Sequence, residues 1–425
     1  NQMAVILNGA TGGIQLTSSS GGTMSVNPPA TATSYVQTLP AATGTLLNSE
    51  SAVAAAKLTG ALPAISGAAL TGIPLSQKNR IINGDMKVDQ RNAGSAATVS
   101  SAYTVDRFKF QEGGSGGQVV SVQQVTDSPV GFLNSFKLTN TTASSSITAD
   151  AYNMFWQAVE GLNWSDLEWG TSAAKTVTIS FWVKASIAGN YSLAIRSSTN
   201  DRSYLTPYTI SSANTWEYKT ITIPGPTSGT FNTNNTKAIQ VVFTNSMGSN
   251  YTSSGNNAWQ SESKLGATGT QVALTNTVNS TWQVTGVQLE VGSTATSFQN
   301  LLYTDQLQLC QRYYQKYLND SGAGGEGFWG TGLQDSATSF VGGFVYQTPM
   351  RIKPTAFETT GTATDYKVQI KGNASVTCSA VPTVTGMTTW GARLTFTTAS
   401  GLTAGEAGLY RSNTTAAYVA WSAEL

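Results

Sequence analysis

Histidine is absent from this chain of 425 residues. Without an imidazole there is no Ser-His-Asp or Cys-His nucleophile system, no histidine metal ligand and no histidine general base. Carboxylate, lysine and tyrosine chemistry remain open. The missing residue therefore removes several large classes of active site at once.

Charged residues are scarce as well. They make up 11% of the chain, against about 25% in an average globular protein. The 23 basic and 22 acidic side chains leave a net charge of +1. A nucleic-acid-binding protein needs a basic surface that neutralises phosphates. The sequence contains no such basic run, so we expect no nucleic-acid partner.

The two cysteines, Cys310 and Cys378, are too few for a disulfide framework and lack the spacing of metal ligands. We expect reduced thiols, although the sequence leaves a single bridge between them open. No Asp-x-Asp-x-Asp loop is present, but calcium ligands can also be backbone carbonyls, which a sequence does not reveal. The prediction is that the protein has no metal and no cofactor.

Long apolar runs are missing too. No stretch of 18 apolar residues exists, so we expect no membrane insertion. The first residues lack a basic segment followed by an apolar one, and no signal peptide is expected. In place of charge the chain is rich in Gly, Ser, Thr, Asn and Ala, a composition typical of exposed β-proteins with many turns.

Residues 1–76 have a composition of their own, with two charged residues and no tryptophan. Two tripeptides recur, Leu-Thr-Gly at 58–60 and 70–72 and Leu-Pro-Ala at 39–41 and 62–64. Such repeats, with regular apolar residues between 58 and 73, favour a thin shaft or attachment segment formed with other chains. The alternative is a disordered low-complexity linker.

Residues 77–300 alternate apolar and polar positions, which predicts β-strands. In 175–184, Val177, Ile179, Phe181 and Val183 fall on one face. Further strands are predicted at 218–223, 238–244 and 282–289. In the last of these the alternation changes phase at Gly286, where a β-bulge is expected. The pattern predicts an antiparallel sandwich of jelly-roll size.

Residues 304–318 are predicted to form a helix capped by Thr304 or Asp305. Its aromatic face packs either on other copies of the chain or on its own sandwich. A glycine-rich loop at 319–335 and a smaller β-domain should follow. The predicted mainly-β architecture is thus a shaft or anchor (1–76), a jelly roll (77–300), a connecting helix (301–320) and a distal β-domain (321–425).

Several specific strings resemble one family in order. They are NRIINGDM at 79–86 with DQR at 89–91, YTVDRF at 103–108, TISFWVK at 178–184, GVQLEVG at 286–292 and CQRYYQK at 310–316. Together they resemble a widespread family of bacteriophage and prophage tail fibres, over roughly residues 78–318. The final Ala423-Glu424-Leu425 is also familiar from that family, and the repeats before residue 76 look like phage fibre shafts.

The resemblance implies a jelly roll like those of carbohydrate-binding modules, carried on a homotrimeric fibre that projects from a virion. The implied partners are a virion structural protein, bound through the N-terminus, and a bacterial surface polysaccharide. The implied location is an external appendage assembled in the host cytoplasm. Tail, collar and head fibres share such modules, so a decorative head or collar fibre remains an alternative.

A glycan-cleaving appendage is the other alternative. Glycosidases need two carboxylates about 5–10 Å apart, and Glu160, Asp166 and Glu168 cluster beside two tryptophans. The competing interpretation is a structural loop, and we expect no enzyme. Asp106 and Arg107 look like a recognition pair, but a buried structural ion pair explains them equally well.

Sugar binding needs aromatic faces for stacking and short polar groups for hydroxyls, without a tuned pKa. The candidates are aromatic residues within polar, turn-rich segments. They are Tyr204, Tyr208, Tyr251, Trp259, Phe328 and Trp329. For any one of them, packing in the core or against another subunit is the competing explanation.

Overall fold

The structure is a computed structural model that describes residues 5–8, 13–17, 23–26, 78–114, 117–144, 146–253, 255–267, 271–319 and 327–425. The chain divides into two compact units, residues 1–74 and 75–425. Each unit is described by itself. The predicted boundaries at 300/301 and 320/321 stay predictions.

The first unit contains a small antiparallel sheet. Its strands are β1 (Val5–Asn8), β2 (Gly13–Thr17) and β3 (Thr23–Val26), with β2 in the centre. The recurring tripeptides between residues 39 and 72, on which the shaft prediction depends, lie outside the described residues.

The second unit begins with a β-sandwich. Its strands are β4 (Ala97–Thr98), β5 (Ser101–Tyr103), β6 (Lys109–Gly113), β7 (Val119–Val125), β8 (Ser135–Thr142), β9 (Tyr152–Glu160), β10 (Val177–Ala185), β11 (Gly189–Ser197), β12 (Ser203–Ile210), β13 (Glu217–Ile223), β14 (Lys237–Met247), β15 (Trp259–Gln260) and β16 (Thr281–Val291). Sheet I has the order β13-β10-β16-β8-β7-β4, and sheet II has the order β15-β12-β11-β14-β9-β6-β5. These strands pair antiparallel, and the chain passes repeatedly between the sheets, as in a jelly roll.

Alternate side chains of the two sheets fill one core. The apolar positions predicted for β10 all point inward, and Phe155, Leu193 and Phe243 face them from sheet II. Facing aromatic rings pack closely, with Phe136 stacked on Phe155 at 3.8 Å between ring centroids. The predicted sandwich is therefore confirmed, because the period of two in the sequence sorts inside from outside.

The predicted bulge in β16 is also confirmed. Between the pairs Ser180–Gln288 and Trp182–Thr285, two steps along β10 oppose three along β16. Gly286 lies in this extra step with a φ of 63°. A Cβ there would come within 2.7 Å of the Phe132 ring, so both the backbone conformation and the packing favour glycine.

The predicted helix is shorter than expected, with nine residues in place of the fifteen of 304–318. Helix α1 spans Tyr303–Gln311, its N-cap is Leu302, and no side chain caps it. The last five residues of the predicted segment are strand β17 (Tyr314–Leu318), which pairs with β26 (Tyr418–Ser422). The pattern of 304–318 was misleading because its β-forming aromatic residues find a partner strand about 100 residues away, which a local pattern does not contain.

The predicted glycine-rich loop at 319–335 is wrong for its second part, while 320–326 lie outside the described residues. Residues Phe328–Gln334 form strand β18. Its glycines suit a crowded sheet, since a Cβ on Gly330 would come within 2.2 Å of the Tyr410 hydroxyl. The glycines here make room for large core rings and do not form a turn.

The rest of the second unit is a smaller pair of sheets. The strands are β19 (Ser339–Val345), β20 (Ala356–Thr359), β21 (Tyr366–Gln369), β22 (Ser375–Thr377), β23 (Thr383–Thr385), β24 (Gly391–Thr397) and β25 (Ala407–Ser412). Sheet III has the order β17-β26-β20, and sheet IV has the order β22-β21-β25-β18-β19-β24-β23. Trp421 lies at the centre of the core between them, against Phe344, Tyr346 and Phe357.

Short 3-10 turns lie between strands, at Gly161–Asn163, Ser165–Leu167, Ser249–Tyr251, Leu274–Asn276, Ala363–Asp365 and Lys371–Asn373. Cys310 and Cys378 are both buried free thiols, so the bridge that the sequence left open does not form. Within the described part of the chain, no helix has the length and apolarity needed to span a membrane.

Candidate functional site

The outer face of sheet II carries a cleft. Because neighbouring side chains of a strand point to opposite faces, β9, β11 and β14 send one set inward and another outward. The outward set includes Met154, Trp156, Ala194 and Val242, which form an apolar cluster separate from the main core. Leu265 packs on the same cluster from the segment that follows β15.

The cleft has a volume of about 350 Å³. Its lining residues are aromatic, amide-bearing or cationic, with two aliphatic side chains among them. They are Gln111, Tyr152, Met154, Trp156, Arg196, Asn200, Lys237, Gln240, Tyr251 and Leu265. No Asp or Glu is among the described residues that line it.

Aromatic rings form one side of the cleft. Tyr152 and Tyr251 meet edge to face, with 5.0 Å between their ring centroids and an angle of 73°. Trp156 lies beside Tyr103 at 6.3 Å, and the Trp156 indole Nε1 has no hydrogen-bond partner in the protein. The cleft therefore offers the half-buried rings of Tyr152 and Tyr251, while the unpaired Trp156 donor is buried.

Two cations, Arg196 and Lys237, also line the cleft. Arg196 donates from Nη1 to Gln240 Oε1 at 3.3 Å and from Nη2 to Ser263 Oγ at 2.6 Å, while its Nε has no partner. Lys237 donates to Asn200 Oδ1 at 2.9 Å. Burial lowers the pKa of both groups, and the charge of Arg196 adds to the effect on Lys237, whose pKa falls to about 8.

No family model matches the chain, and no curated protein matches its sequence. Solved structures give partial similarities. One is the enzymatically active domain of tailspike protein 4 of bacteriophage CBA120, with 14% identity and a TM-score of 0.29. That match covers 50% of this chain and 21% of the tailspike chain, so this chain spans about a fifth of the tailspike's length.

Carbohydrate-binding modules are also similar in part. A family 11 module from Clostridium thermocellum, solved with a β-1,3-1,4-mixed-linked tetrasaccharide, has 16% identity and a TM-score of 0.25, over 47% of this chain and 98% of that chain. A family 16 module has 12% identity and a TM-score of 0.21, over 40% and 84%.

One of the six predicted sugar-binding residues, Tyr251, lies in the cleft. Tyr204 and Tyr208 are 4% and 5% exposed and belong to the main core, where neither ring has a free face. Trp259 is half-buried beside Trp169 and donates from its indole nitrogen to Pro224 O at 2.8 Å.

The two predicted residues near residue 330 are separate from the cleft lining. Phe328 begins β18 and is 62% exposed. Trp329 packs against the core between sheets III and IV, 5.9 Å from the Tyr366 ring, and its Nε1 has no partner. A sugar-binding role for either remains a prediction.

The functional residues of the cleft that sequence reasoning missed include Gln111, Tyr152, Trp156, Arg196, Lys237 and Gln240. Gln240 lies in the predicted strand 238–244 and Lys237 immediately precedes it, whereas β6, β9 and β11, which carry the other four residues, are not among the predicted strands. The sequence did not indicate which outward face stays open, because that depends on the long-range order of the strands and on the segment 248–266.

Each of the three carboxylates considered for catalysis has a different cationic neighbour in the protein. Glu160 is buried and accepts hydrogen bonds from Arg312 Nε at 2.9 Å and from the Tyr313 hydroxyl at 2.5 Å. Asp166 pairs with Arg80 at 2.6 Å, and Glu168 lies 3.9 Å from Lys175. Each carboxylate is thus next to a cation of the protein.

Asp106 and Arg107 are both buried but do not pair with each other. Asp106 accepts a hydrogen bond from the Gln90 backbone at 2.9 Å, and burial raises its pKa to about 6. Arg107 pairs with Glu424, donates to Ala158 O at 2.9 Å and lies 3.4 Å from the centroid of the Tyr313 ring. Arg107 therefore forms a buried structural ion pair, as one interpretation of the sequence expected, but its partner is Glu424 and not Asp106.

Among the described residues, no three His, Cys, Asp or Glu side chains are grouped so as to hold a metal ion.

Proposed function

We propose that this chain is a non-enzymatic structural and adhesive protein of a bacteriophage particle, and that the cleft on sheet II binds a bacterial surface polysaccharide. The observation that carries the proposal is the cleft over sheet II, in which the half-buried Tyr152 and Tyr251 and the buried Trp156 lie beside amide and guanidinium groups. The family-like strings in the sequence support the virion assignment.

The chemistry of the cleft suits a sugar. A pyranose has an apolar face that packs on aromatic rings and hydroxyl groups that need donors and acceptors. The amide of Gln111, which is half-buried in the cleft lining, has both kinds of group. The volume of about 350 Å³ lies within the usual range of about 300–1,000 Å³ for ligand sites.

Assembly as a homotrimer completes the proposal. A trimer would present three clefts, so that weak individual contacts combine through effective concentration. The N-terminal segment would attach the trimer to the particle. A tail fibre is the preferred position, and a head or collar fibre with a mainly decorative role is the alternative.

Binding of the purified chain to immobilised host polysaccharides tests the adhesive role. Replacement of Tyr251 by Ala should weaken binding about tenfold, because it removes a stacking surface. Tyr218→Ala is the matched control, since Tyr218 is 45% exposed on sheet I, away from the cleft. Equal binding by the Tyr251 variant and the parent chain would show that the cleft is not the site.

Two further measurements separate the alternatives. Adhesion of the purified protein to intact host cells distinguishes an adhesin from a decorative fibre, which would not bind. Release of reducing sugar ends from a polysaccharide that the protein binds would establish the glycan-cleaving alternative. We expect binding without release.

A further inference from the structure

We propose that the polysaccharide bound in the cleft is acidic, and that Arg196 and Lys237 bind a carboxylate or phosphate of its repeating unit. This inference rests on the proposed function, because it names the class of glycan that the same cleft takes. The cleft contains a pair of partly buried cations without an anionic partner. Binding of a neutral sugar does not require such a pair.

The side-chain contacts of both cations are neutral. Arg196 donates to an amide and a hydroxyl, and Lys237 donates to an amide. Neither takes part in any ion pair found among the described residues. By contrast, the buried guanidinium of Arg107 pairs with Glu424. The cleft is therefore a place where positive charge is left uncompensated.

The carboxylate that stands opposite Lys237 in the strand pairing binds other residues. Glu160 stands opposite Lys237 in the pairing of β9 with β14. Its carboxylate, however, accepts hydrogen bonds from both Arg312 and Tyr313. Lys237 thus has a carboxylate across the strand pair but does not form an ion pair with it.

Burial without compensation has a cost. Removing a charge from water disfavours the charged form, and a like charge nearby adds to this. Both effects act on Lys237, through burial first and the charge of Arg196 second. An anion held by both groups would relieve the repulsion and form charge-assisted hydrogen bonds, which are roughly twice as strong as neutral ones.

The aromatic side of the cleft makes a sugar polymer the fitting source of that anion. Arg196, Tyr152 and Tyr251 line the same cleft. One sugar ring could stack on a tyrosine while its acidic substituent, or that of the next ring, meets the guanidinium. A free inorganic anion would use the cations but not the rings.

Matched polysaccharides test the inference. The probes are a panel of acidic bacterial polysaccharides, some with uronic acids and some with phosphodiesters. Each is paired with a neutral form, made by reducing the carboxyl groups or removing the phosphate. We expect the full chain to bind at least one acidic polymer and to bind its neutral form at least about tenfold more weakly. The carboxylate and phosphate members of the panel identify the kind of acid.

Protein variants test the residues. The variants are Lys237→Gln, Arg196→Gln and the double variant. With the acidic polysaccharide as the probe, we expect them to lose as much affinity as the parent chain loses when the polymer is made neutral. The control is Lys137→Gln, because Lys137 lies on β8 in sheet I, away from the cleft. Unfolding curves of each variant show whether the chain is still folded. Lys237 is partly exposed, so its replacement is the milder change.

The outcomes separate this inference from the proposed function. Equal binding of acidic and neutral forms, together with loss of binding by Tyr251→Ala, would leave the cleft as a glycan site and overturn the acidic preference. Undiminished binding by the double cation variant would overturn the role of Arg196 and Lys237. Failure of every polysaccharide to bind would overturn the proposed function, and this inference with it.

Discussion

At the scale of single residues, the main feature is how buried charges are compensated. Glu424 is buried against Arg107 and lies 3.4 Å from Arg91. Arg351 donates to the backbone oxygens of Ala423 and Glu424, both at 2.9 Å. Glu424 is thus held by Arg91 and Arg107 of the sandwich, and the backbone of Ala423 and Glu424 is held by Arg351. The strings YTVDRF and Ala-Glu-Leu contribute to one network, which their separation in sequence does not reveal.

Replacement of Glu424 by Gln should therefore destabilise the second unit by about 3 kcal/mol or more, because it leaves buried guanidinium groups without their anion. Denaturant unfolding measures the loss. Glu168→Gln is the control, since that carboxylate is half-exposed and its replacement should cost less than about 1 kcal/mol. Equal stability of the two variants would show that the Arg107–Glu424 pair contributes little.

The pH dependence of binding is a second prediction at this scale. The lowered pKa of Lys237, about 8, means that its ammonium is charged at neutral pH and loses its proton as the pH rises through that value. Arg196 keeps its charge. Affinity for an acidic polysaccharide should therefore fall several-fold between about pH 7 and about pH 9. Titration calorimetry measures this, and Lys237→Gln should flatten the profile. A parent chain with constant affinity over this range would contradict the prediction.

At the scale of elements, local pattern was sufficient where one face of a strand is buried and the other is open. The strands β10, β13, β14 and β16 follow from alternation alone, and the bulge at Gly286 follows from the change of phase. The pattern failed at 312–318, where β17 owes its existence to β26. The location of the site could not be predicted for the same reason. Alternation distinguishes the two faces of a strand but does not show which face forms a cleft.

Replacement of Gly286 by Ala should cost about 1–3 kcal/mol, since it combines a left-handed backbone with a clash against Phe132 and Trp182. Gly372→Ala is a matched control. Its φ of 75° is similar, and nothing lies within 4 Å of the added Cβ. Chemical denaturation compares the two, and the difference isolates the clash from the backbone strain. Equal losses of unfolding free energy in the two variants would show that a Cβ at position 286 does not clash with its neighbours.

At the scale of the whole molecule, the open question is how many copies assemble. The resemblance to trimeric fibres implies three, and a multivalent adhesin needs more than one. Two compact units within one chain suit a division between attachment and binding. This division is part of the proposal, and the composition of residues 1–76 remains its support in the sequence.

Light scattering of the purified protein is the measurement at this scale. We expect a mass near three times the 44.5 kDa of one chain, together with slow migration in unheated detergent gels. A monomer would contradict the trimer and leave the jelly roll as a free-standing glycan-binding module. The mass should stay the same in the Tyr251→Ala variant, whose substitution lies in the cleft.

Sheet II has one further consequence, for how the proposed adhesin can change over generations. Its inward residues hold the sandwich together, while its outward residues line the cleft, and the two sets alternate along the same strands. Selection can therefore replace Tyr152, Arg196 or Gln240 with little effect on the core. A change of host could then proceed by substitutions at every second position, with the scaffold conserved beneath them.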